Sequence, residues 1–176
     1  MDLAVERLKE GDRSALHFLY LRCGEEVRRY VQSIVRDHHE AEDVTQSVFL
    51  KLMSVIKEYE PRAVPFTAWL LRVARNAALD SLRARRALPR GDICVKDEGR
   101  DQLAFERREL LKAALALLPR EQREVLVLRY VTGLRPREVA CVLRRTESSV
   151  HGLQHRGRRV LKAALEEVDA APLTAP

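Results

Sequence analysis

Apolar residues recur at helical spacing along most of the chain, in two blocks separated by a polar interval. The first block predicts helices over Leu3–Arg36 (broken near Gly11 and Gly24), Ala41–Glu58 and Phe66–Arg86. The second predicts helices over Phe105–Leu118 and Gln122–Val131, followed by a final pair. Since alternating runs typical of strands are scarce, the pattern predicts an all-α fold.

The interval between the blocks, Ala87–Gln102, contains Pro89, Gly91, Gly99 and several aspartates, and helical periodicity is lost there. We therefore predict two small helical bundles joined by a flexible linker. The predicted ranges are 1–86 for the first bundle, 87–104 for the linker, 105–168 for the second bundle and 169–176 for a disordered tail.

The final pair predicts a helix-turn-helix at about 136–155. Pro136 suits a first helical position, and Val139, Ala140 and Leu143 then share one face. Thr146 is placed to cap a second helix. Its predicted apolar stripe is Val150, Leu153, Gly157, Val160, Leu161 and Ala164, and its opposite face is Ser148, His151, Gly152, His155 and Arg159. A polar face that starts at a helix N-terminus is typical of a major-groove reader.

Charge is concentrated in the same part of the chain. Residues Pro119–Arg159 contain ten arginines and four glutamates, an excess of six that equals the net charge of +6 for the whole chain. Because neutralised phosphates release counterions, such a concentration favours nucleic-acid binding.

A second basic surface is predicted on the helix that begins at Phe66. Apolar residues fall on one side of it (Phe66, Trp69, Leu70, Val73, Ala77), and basic or polar residues fall on another (Arg72, Arg75, Asn76, Arg83, Arg86). The irregular segment Tyr59–Pro65 precedes this helix and ends against aromatic residues. Loops beside basic helices can hold unstacked bases.

Other classes of protein fit less well. No apolar run is long enough to span a bilayer and the acidic start lacks the features of a signal peptide, so we expect a cytoplasmic protein without membrane insertion. Cys23, Cys94 and Cys141 lie far apart without CxxC spacing, which argues against a disulfide framework or a zinc site. We expect no metal and no cofactor.

Three motifs in order resemble the extracytoplasmic-function (ECF) sigma factors of the sigma-70 family. They are EAEDVTQSVFLKL at Glu40–Leu52, FTAWLLRVARNAALD at Phe66–Asp80, and LPREQREVLVLRYVTGL at Leu118–Leu134. The resemblance covers about Leu16–Leu165. It implies a non-enzymatic transcription initiation factor that binds core RNA polymerase, directs it to −10 and −35 promoter elements and assists melting, with an anti-sigma factor as a probable regulator.

The resemblance also assigns residues to surfaces. Polymerase docking falls to Glu42, Asp43, Gln46 and Phe49. Contacts with the −10 region fall to Arg62, Arg72, Arg75, Asn76 and Arg83. Contacts with the −35 region fall to Arg144, Arg145, Ser148, Ser149, His151, Gln154, His155, Arg158 and Arg159.

The chain departs from the family pattern at three places. Arg144 stands where the family usually has glycine in the turn, at a cost of about 1 kcal/mol if φ is positive, so we expect a slightly different turn. Leu153 and Gln154 reverse a common basic-then-apolar order, which places Leu153 inward and Gln154 at the groove edge. Glu40 replaces the usual aspartate at an acidic helix cap.

Two alternatives remain. A stand-alone helix-turn-helix regulator would share Gly133–Leu161 but have no use for Glu40–Arg86. A metal-dependent nuclease would need a ligand set, and the candidate cluster is His38, His39, Glu42 and Asp43. His39 and Asp43 lie four residues apart, but no third ligand is evident.

Overall fold

A computed structural model of the protein describes residues 1–61, 64–86 and 102–170. Over these ranges the chain forms eight α-helices and one 3-10 turn, without a strand, as the all-α prediction requires. The α-helices are α1 (Asp2–Lys9), α2 (Arg13–Val35), α3 (His38–Val55), α4 (Phe66–Arg86), α5 (Gln102–Ala116), α6 (Arg120–Tyr130), α7 (Pro136–Leu143) and α8 (Glu147–Ala170), and the 3-10 turn is Ile56–Glu58.

Some predicted features lie partly or wholly outside the described residues. Arg62 lies outside the described residues, as do 87–101 of the predicted linker and 171–176 of the predicted tail. Helix α5 begins at Gln102, within the predicted linker, and α8 includes the first two residues of the predicted tail.

The first bundle consists of α1–α4, with α2, α3 and α4 packed against one another and α1 against α2. The predicted break near Gly11 is confirmed: Gly11 has a φ of +93°, and Asp12 then caps α2 by accepting a 2.8 Å hydrogen bond from the Ser14 backbone N–H. The predicted break near Gly24 is wrong. Helix α2 continues through Gly24, where the Tyr20 ring lies 3.5 Å from the position a Cβ atom would take. At that distance an added Cβ would make ordinary van der Waals contact, so neither backbone nor packing requires glycine at this position.

Helix α3 begins three residues before its predicted start because Asp37 is the N-cap, with its carboxylate accepting a 2.8 Å hydrogen bond from the Glu40 backbone N–H. Glu40, predicted at the cap, has another role. Its carboxylate accepts hydrogen bonds from Ser81 Oγ at 2.6 Å and from Arg85 Nη1 at 3.1 Å. Glu40 therefore ties the first turn of α3 to the C-terminal half of α4.

The second bundle consists of α5–α8, in which α8 packs against α5, α6 and α7. Helices α6 and α8 cross closely at Gly157, where an added Cβ would lie 3.2 Å from Leu126 Cδ1 and 3.3 Å from Gln122 Cβ. Val150, Leu153 and Gly157 of the predicted stripe are buried, but Val160 is 36% exposed. The apolar stripe of α8 is therefore buried as far as the crossing with α6 and becomes exposed to solvent at Val160.

The predicted helix-turn-helix is present as α7 and α8. Pro136 is the first residue of α7, and the Arg135 backbone N–H donates a 2.7 Å hydrogen bond to the Glu138 carboxylate. Arg144 ends α7 in the left-handed region, with φ 53° and ψ 49°. Arginine here adopts the positive φ that usually favours glycine. Thr146 Oγ1 accepts a 3.2 Å hydrogen bond from Ser149 N and caps α8, as predicted.

The two bundles contact each other. Helix α7 packs on α4, α6 packs on α2, and buried apolar residues of both bundles form one continuous core. A cleft of about 330 Å³ lies between the segment before α4 and helix α7, and its lining includes Pro65 and Cys141. Among the helices of the described ranges, none is long and apolar enough to cross a membrane.

Candidate polymerase and nucleic-acid interfaces

The predicted docking residues form an exposed surface on α3. Glu42, Asp43 and Gln46 are exposed, one to two turns from the N-terminus of the helix. Phe49 lies beneath them and is 4% exposed, with its ring edge-on to the Tyr20 ring at a centroid distance of 5.1 Å. Phe49 therefore supports this surface by packing and presents little area to a partner.

A groove of about 390 Å³ runs between α2 and α3 beside these residues. Its lining comprises Tyr20, Leu21, Gly24, Glu25, Arg28, Glu42, Thr45 and Gln46. Leu21 and Leu50 are 70% and 75% exposed, and Tyr20 is also exposed. Neighbouring apolar side chains with polar surroundings are typical of protein-binding surfaces. Tyr20 and Leu21 were not among the predicted docking residues, although their position outside the buried face of α2 is visible in the sequence.

The polar side of the groove is organised by ion pairs. Arg28 donates to both Glu25 carboxylate oxygens, at 2.9 and 3.0 Å, and this hydrogen bonding lowers the pKa of Glu25. His38 Nε2 lies 3.3 Å from Glu42 Oε1, one helical turn away. Within the described ranges, no group of three or more His, Cys, Asp or Glu side chains could hold a metal ion.

The predicted −10 residues on α4 occupy different environments. Asn76 and Arg83 are exposed, and Arg83 pairs with Asp80 at 2.7 Å. Arg72 is half-buried. Arg75 was expected on the outer face of α4. Instead, its guanidinium faces α6 and donates hydrogen bonds to the Glu124 carboxylate at 3.2 and 3.1 Å. The basic surface of α4 is thus partly covered by the second bundle.

Three aromatic rings support the segment before α4. Tyr59, Phe66 and Trp69 are each at most 5% exposed, with ring centroids 5.3 to 6.1 Å apart. Tyr59 also donates a 3.1 Å hydrogen bond to the Val64 carbonyl oxygen. Because these rings are buried, they fix the path of the segment and offer no open face for stacking with a base.

The polar face of α8 is accessible as predicted. Its exposed members are Ser148, His151, His155, Arg158 and Arg159, while Ser149 and Gln154 are half-buried. His151 Nε2 lies 3.8 Å from the Glu147 carboxylate, and Leu153 is buried as expected. In the turn before α8, Arg144 is exposed and Arg145 forms an ion pair with Glu121 of α6. A helix N-terminus with exposed polar and basic side chains can enter a groove of DNA.

Two family models match this chain, each over a different part of it. Residues 19–88 match the family model of sigma-70 region 2, and residues 108–161 match that of sigma-70 region 4. The chain is 33% identical over 183 residues to the ECF RNA polymerase sigma factor SigD of Mycobacterium tuberculosis, with 97% of this chain and 85% of that protein covered. It is 30% identical over 160 residues to the ECF RNA polymerase sigma factor SigX of Bacillus subtilis, with 84% and 82% covered.

Two solved structures are similar to this chain over most of its length. The structure of CnrH in complex with the cytosolic domain of CnrY is similar, with a TM-score of 0.73, 26% identity and coverage of 94% of this chain and 96% of that chain. The sigma factor RpoE of Bartonella quintana, solved in complex with the anti-sigma factor NepR, shares the fold with a TM-score of 0.70, 21% identity and coverage of 84% and 94%.

The fold and the family matches together define a helical, DNA-binding transcription factor. The chain belongs to the ECF sigma factors of the sigma-70 family. It is therefore a factor that directs RNA polymerase to promoters, in a family of non-enzymatic initiation factors. A stand-alone helix-turn-helix regulator is not favoured, because such a protein would lack the region 2 match over 19–88.

Proposed function

We propose that the two bundles divide promoter recognition between them, with 1–86 acting as region 2 and 105–168 as region 4. The first bundle docks on core RNA polymerase through the α2–α3 groove and the exposed residues Glu42, Asp43 and Gln46, over the packed ring of Phe49. The observation that carries this proposal is that one chain presents both an open groove between α2 and α3 and an exposed helix-turn-helix.

At the −10 element, α4 supplies the contacts. Arg72, Asn76 and Arg83 lie along the helix at spacings suited to successive phosphates or bases, and Arg75 joins them when its guanidinium is free of Glu124. Arg62 is assigned to the same surface by family resemblance alone. These residues stabilise the separated strand once the duplex has opened, and no bond is made or broken by the protein.

At the −35 element, α8 enters the major groove from its N-terminal end. Ser148, His151 and His155 face the base edges, with Ser149 and Gln154 at the border of this face. Arg144, Arg145, Arg158 and Arg159 flank the face and contact phosphates, which sets the register of the helix on the duplex.

The proposed role in promoter recognition also indicates where the protein acts and what kind of protein regulates it. A promoter-directing subunit acts where the polymerase and chromosome are, so we place the protein in the cytoplasm. The relatives CnrH and RpoE were solved with CnrY and with the anti-sigma factor NepR, respectively. By analogy, a protein inhibitor that covers the docking groove is the expected regulator of this chain.

Run-off transcription tests the function. Core polymerase of the source bacterium, supplemented with the purified chain, should initiate at a defined subset of promoters in fragmented genomic DNA, and mapping the start sites should yield common −10 and −35 sequences. Core enzyme alone is the control. Failure of the chain to bind core polymerase, with sequence-specific duplex binding retained, would favour the stand-alone regulator instead.

A further inference from the structure

The contact between the two bundles has a charged centre. The side chain of Glu124, on α6, is only 4% exposed. One of its carboxylate oxygens accepts two hydrogen bonds from Arg75 of α4, at 3.2 and 3.1 Å, and the other accepts one from Arg120 at 3.1 Å. A buried carboxylate persists only when it is paired, so this cluster depends on the two bundles staying together.

The Tyr30 hydroxyl of α2 lies at the same centre. It is fully buried beside the Arg75 side chain and makes no well-formed hydrogen bond within the described residues. Burial raises the pKa of Tyr30 far above its ordinary range, and the nearby Glu124 carboxylate adds to the increase. The Glu124 and Tyr30 side of the cluster is therefore shielded from solvent, while Arg75 and Arg120 remain partly exposed.

This arrangement cannot engage a whole promoter. The centres of the −10 and −35 elements are separated by about 25 base pairs, or roughly 85 Å of B-DNA at 3.4 Å per base pair. Helix α7 of the helix-turn-helix, however, packs directly on α4. The bundles must separate before α4 and α8 can occupy both elements, and separation breaks the Arg75–Glu124 pair.

We propose that Arg75, Glu124 and Arg120 form an intramolecular latch that holds the chain in a closed state, in which the Arg75 part of its −10 surface is occupied. The proposal rests on the proposed function, in which Arg75 contacts the −10 region. In the closed state the Arg75 guanidinium is paired with the Glu124 carboxylate and is not available to bind a DNA phosphate. Arginine binds both anions through similar charge-assisted hydrogen bonds, so opening exchanges one anion for the other.

Arg120 makes this exchange reversible. It is 44% exposed and lies one helical turn from Glu124, within the same bundle. When Arg75 departs, Glu124 keeps Arg120 as a partner and is not left as an unpaired charge. The exposed side chains of His151 and His155 are accessible in the closed state, so the latch restricts the −10 surface and leaves the −35 surface open.

The substitution Glu124→Gln tests the latch in the full-length chain. Glu109→Gln is the matched control, because Glu109 is an exposed glutamate of the same bundle that pairs only with Lys112 among the described residues. Two fluorescent probes are used: the −10 non-template single strand and the −35 duplex, both taken from the mapped start sites. Small-angle scattering reports the separation of the bundles, since a compact chain of this length has a radius of gyration of about 16 Å.

Glu124→Gln should bind the −10 strand roughly tenfold more tightly than wild type, because the competing charged hydrogen bonds are weakened. It should also show a larger radius of gyration, with −35 duplex affinity unchanged, and the control should match wild type. Equal −10 strand affinity and equal radius for Glu124→Gln and wild type would overturn the latch. If no variant bound either probe, with or without core polymerase, the proposed function itself would fail.

If Glu124→Gln does not fold, a chemical cross-link between the two bundles provides a second test of the closed state. Pro65 and Cys141 line the same cleft between the bundles, so Pro65→Cys together with Cys94→Ser allows a short bismaleimide to join position 65 to Cys141. The cross-linked chain should lose −10 strand binding at least tenfold and retain −35 duplex binding. Absence of an intramolecular cross-link, or full −10 binding by the linked chain, would contradict the closed state.

Discussion

The side-chain amide of Gln154 donates a 2.9 Å hydrogen bond to the hydroxyl of Tyr130, which ties the recognition helix α8 to α6 at its exposed edge. Tyr130 is 58% exposed, so this bond contributes little to folding. It does fix the direction in which the Gln154 amide points. If Gln154 contacts a base as proposed, Tyr130 is expected to position its amide.

Replacing Tyr130 with phenylalanine should change −35 preference while leaving stability nearly unchanged. The lost hydrogen bond is worth about 1 kcal/mol at most for discrimination at the base that Gln154 faces. Transcription from a library of randomised −35 elements measures the effect, with Gln154→Ala as the reference variant. Both substitutions should affect the same base position. A preference altered by Gln154→Ala but not by Tyr130→Phe would show that the bond does not position the amide.

Base-reading and phosphate-binding residues on α8 should separate in the same assay. His151→Ala or His155→Ala should alter the ranking of −35 sequences, because a good base contact discriminates by about 1–3 kcal/mol. Arg158→Ala or Arg159→Ala should reduce use of all sequences alike and lower the salt slope by about one unit. An unchanged ranking for both histidine variants would mean that another face of α8 enters the groove.

Charge reversal at Asp43 should weaken binding to core polymerase by at least tenfold without unfolding the protein, since Asp43 is exposed beside the docking groove. Competition between the variant and wild type for limiting core enzyme measures the loss. Glu10→Lys is the control, because Glu10 is an exposed acid at the end of α1, outside the groove lining. Equal competition by Asp43→Lys and wild type would remove Asp43 from the docking surface.

Arg144→Gly should stabilise the second bundle by about 1 kcal/mol, because Arg144 holds a φ of 53° that glycine adopts without strain. Urea denaturation measures the free energy of unfolding. Arg145→Gly is the matched control: Arg145 has no positive φ and pairs with Glu121, so its replacement should give no gain. A destabilised Arg144→Gly protein would indicate that the arginine side chain contributes more than its backbone strain costs.

The buried thiol of Cys23 should resist alkylation. Desolvation raises the pKa of Cys23 from 9.0 to about 11, so at pH 8 roughly one molecule in a thousand carries the thiolate. Cys141 is half-buried and should react first with iodoacetamide, as followed by peptide mass spectrometry. The same shift stabilises the fold below pH 9.0, and this contribution is lost as the pH rises through about 11. Equal labelling rates at pH 8 would contradict the burial of Cys23.

The elements were largely predictable from the sequence, because local signals define them. Pro136 and Thr146 each mark a helix start by chemistry confined to one turn, and both predictions are confirmed. Gly24 does not mark a break, because a single glycine lowers helix stability by only about 1 kcal/mol and the buried face of α2 continues past it. Asp37 was overlooked as a cap because the helical pattern was taken from apolar residues, and the first turn of α3 has none before Ala41.

The surfaces were less predictable than the elements. Exposure of the polar face on α8 follows from helical periodicity, which places Leu153 inward and His151 outward. The pairing of Arg75 with Glu124 joins residues 49 positions apart, and periodicity along one helix carries no information about such contacts. Tyr20 and Leu21 became recognisable only when α2 and α3 were seen to flank one groove.

The carboxylate of Glu40 has a mechanical consequence. It accepts hydrogen bonds from both Ser81 and Arg85, so α3, which carries the proposed docking residues, and α4, which carries the proposed −10 residues, are fastened together at this point. A force applied to α3 is transmitted to α4 through this joint as well as through their packed faces. If α3 docks on the polymerase as proposed, the direction in which α4 meets DNA follows from how α3 is seated on the enzyme.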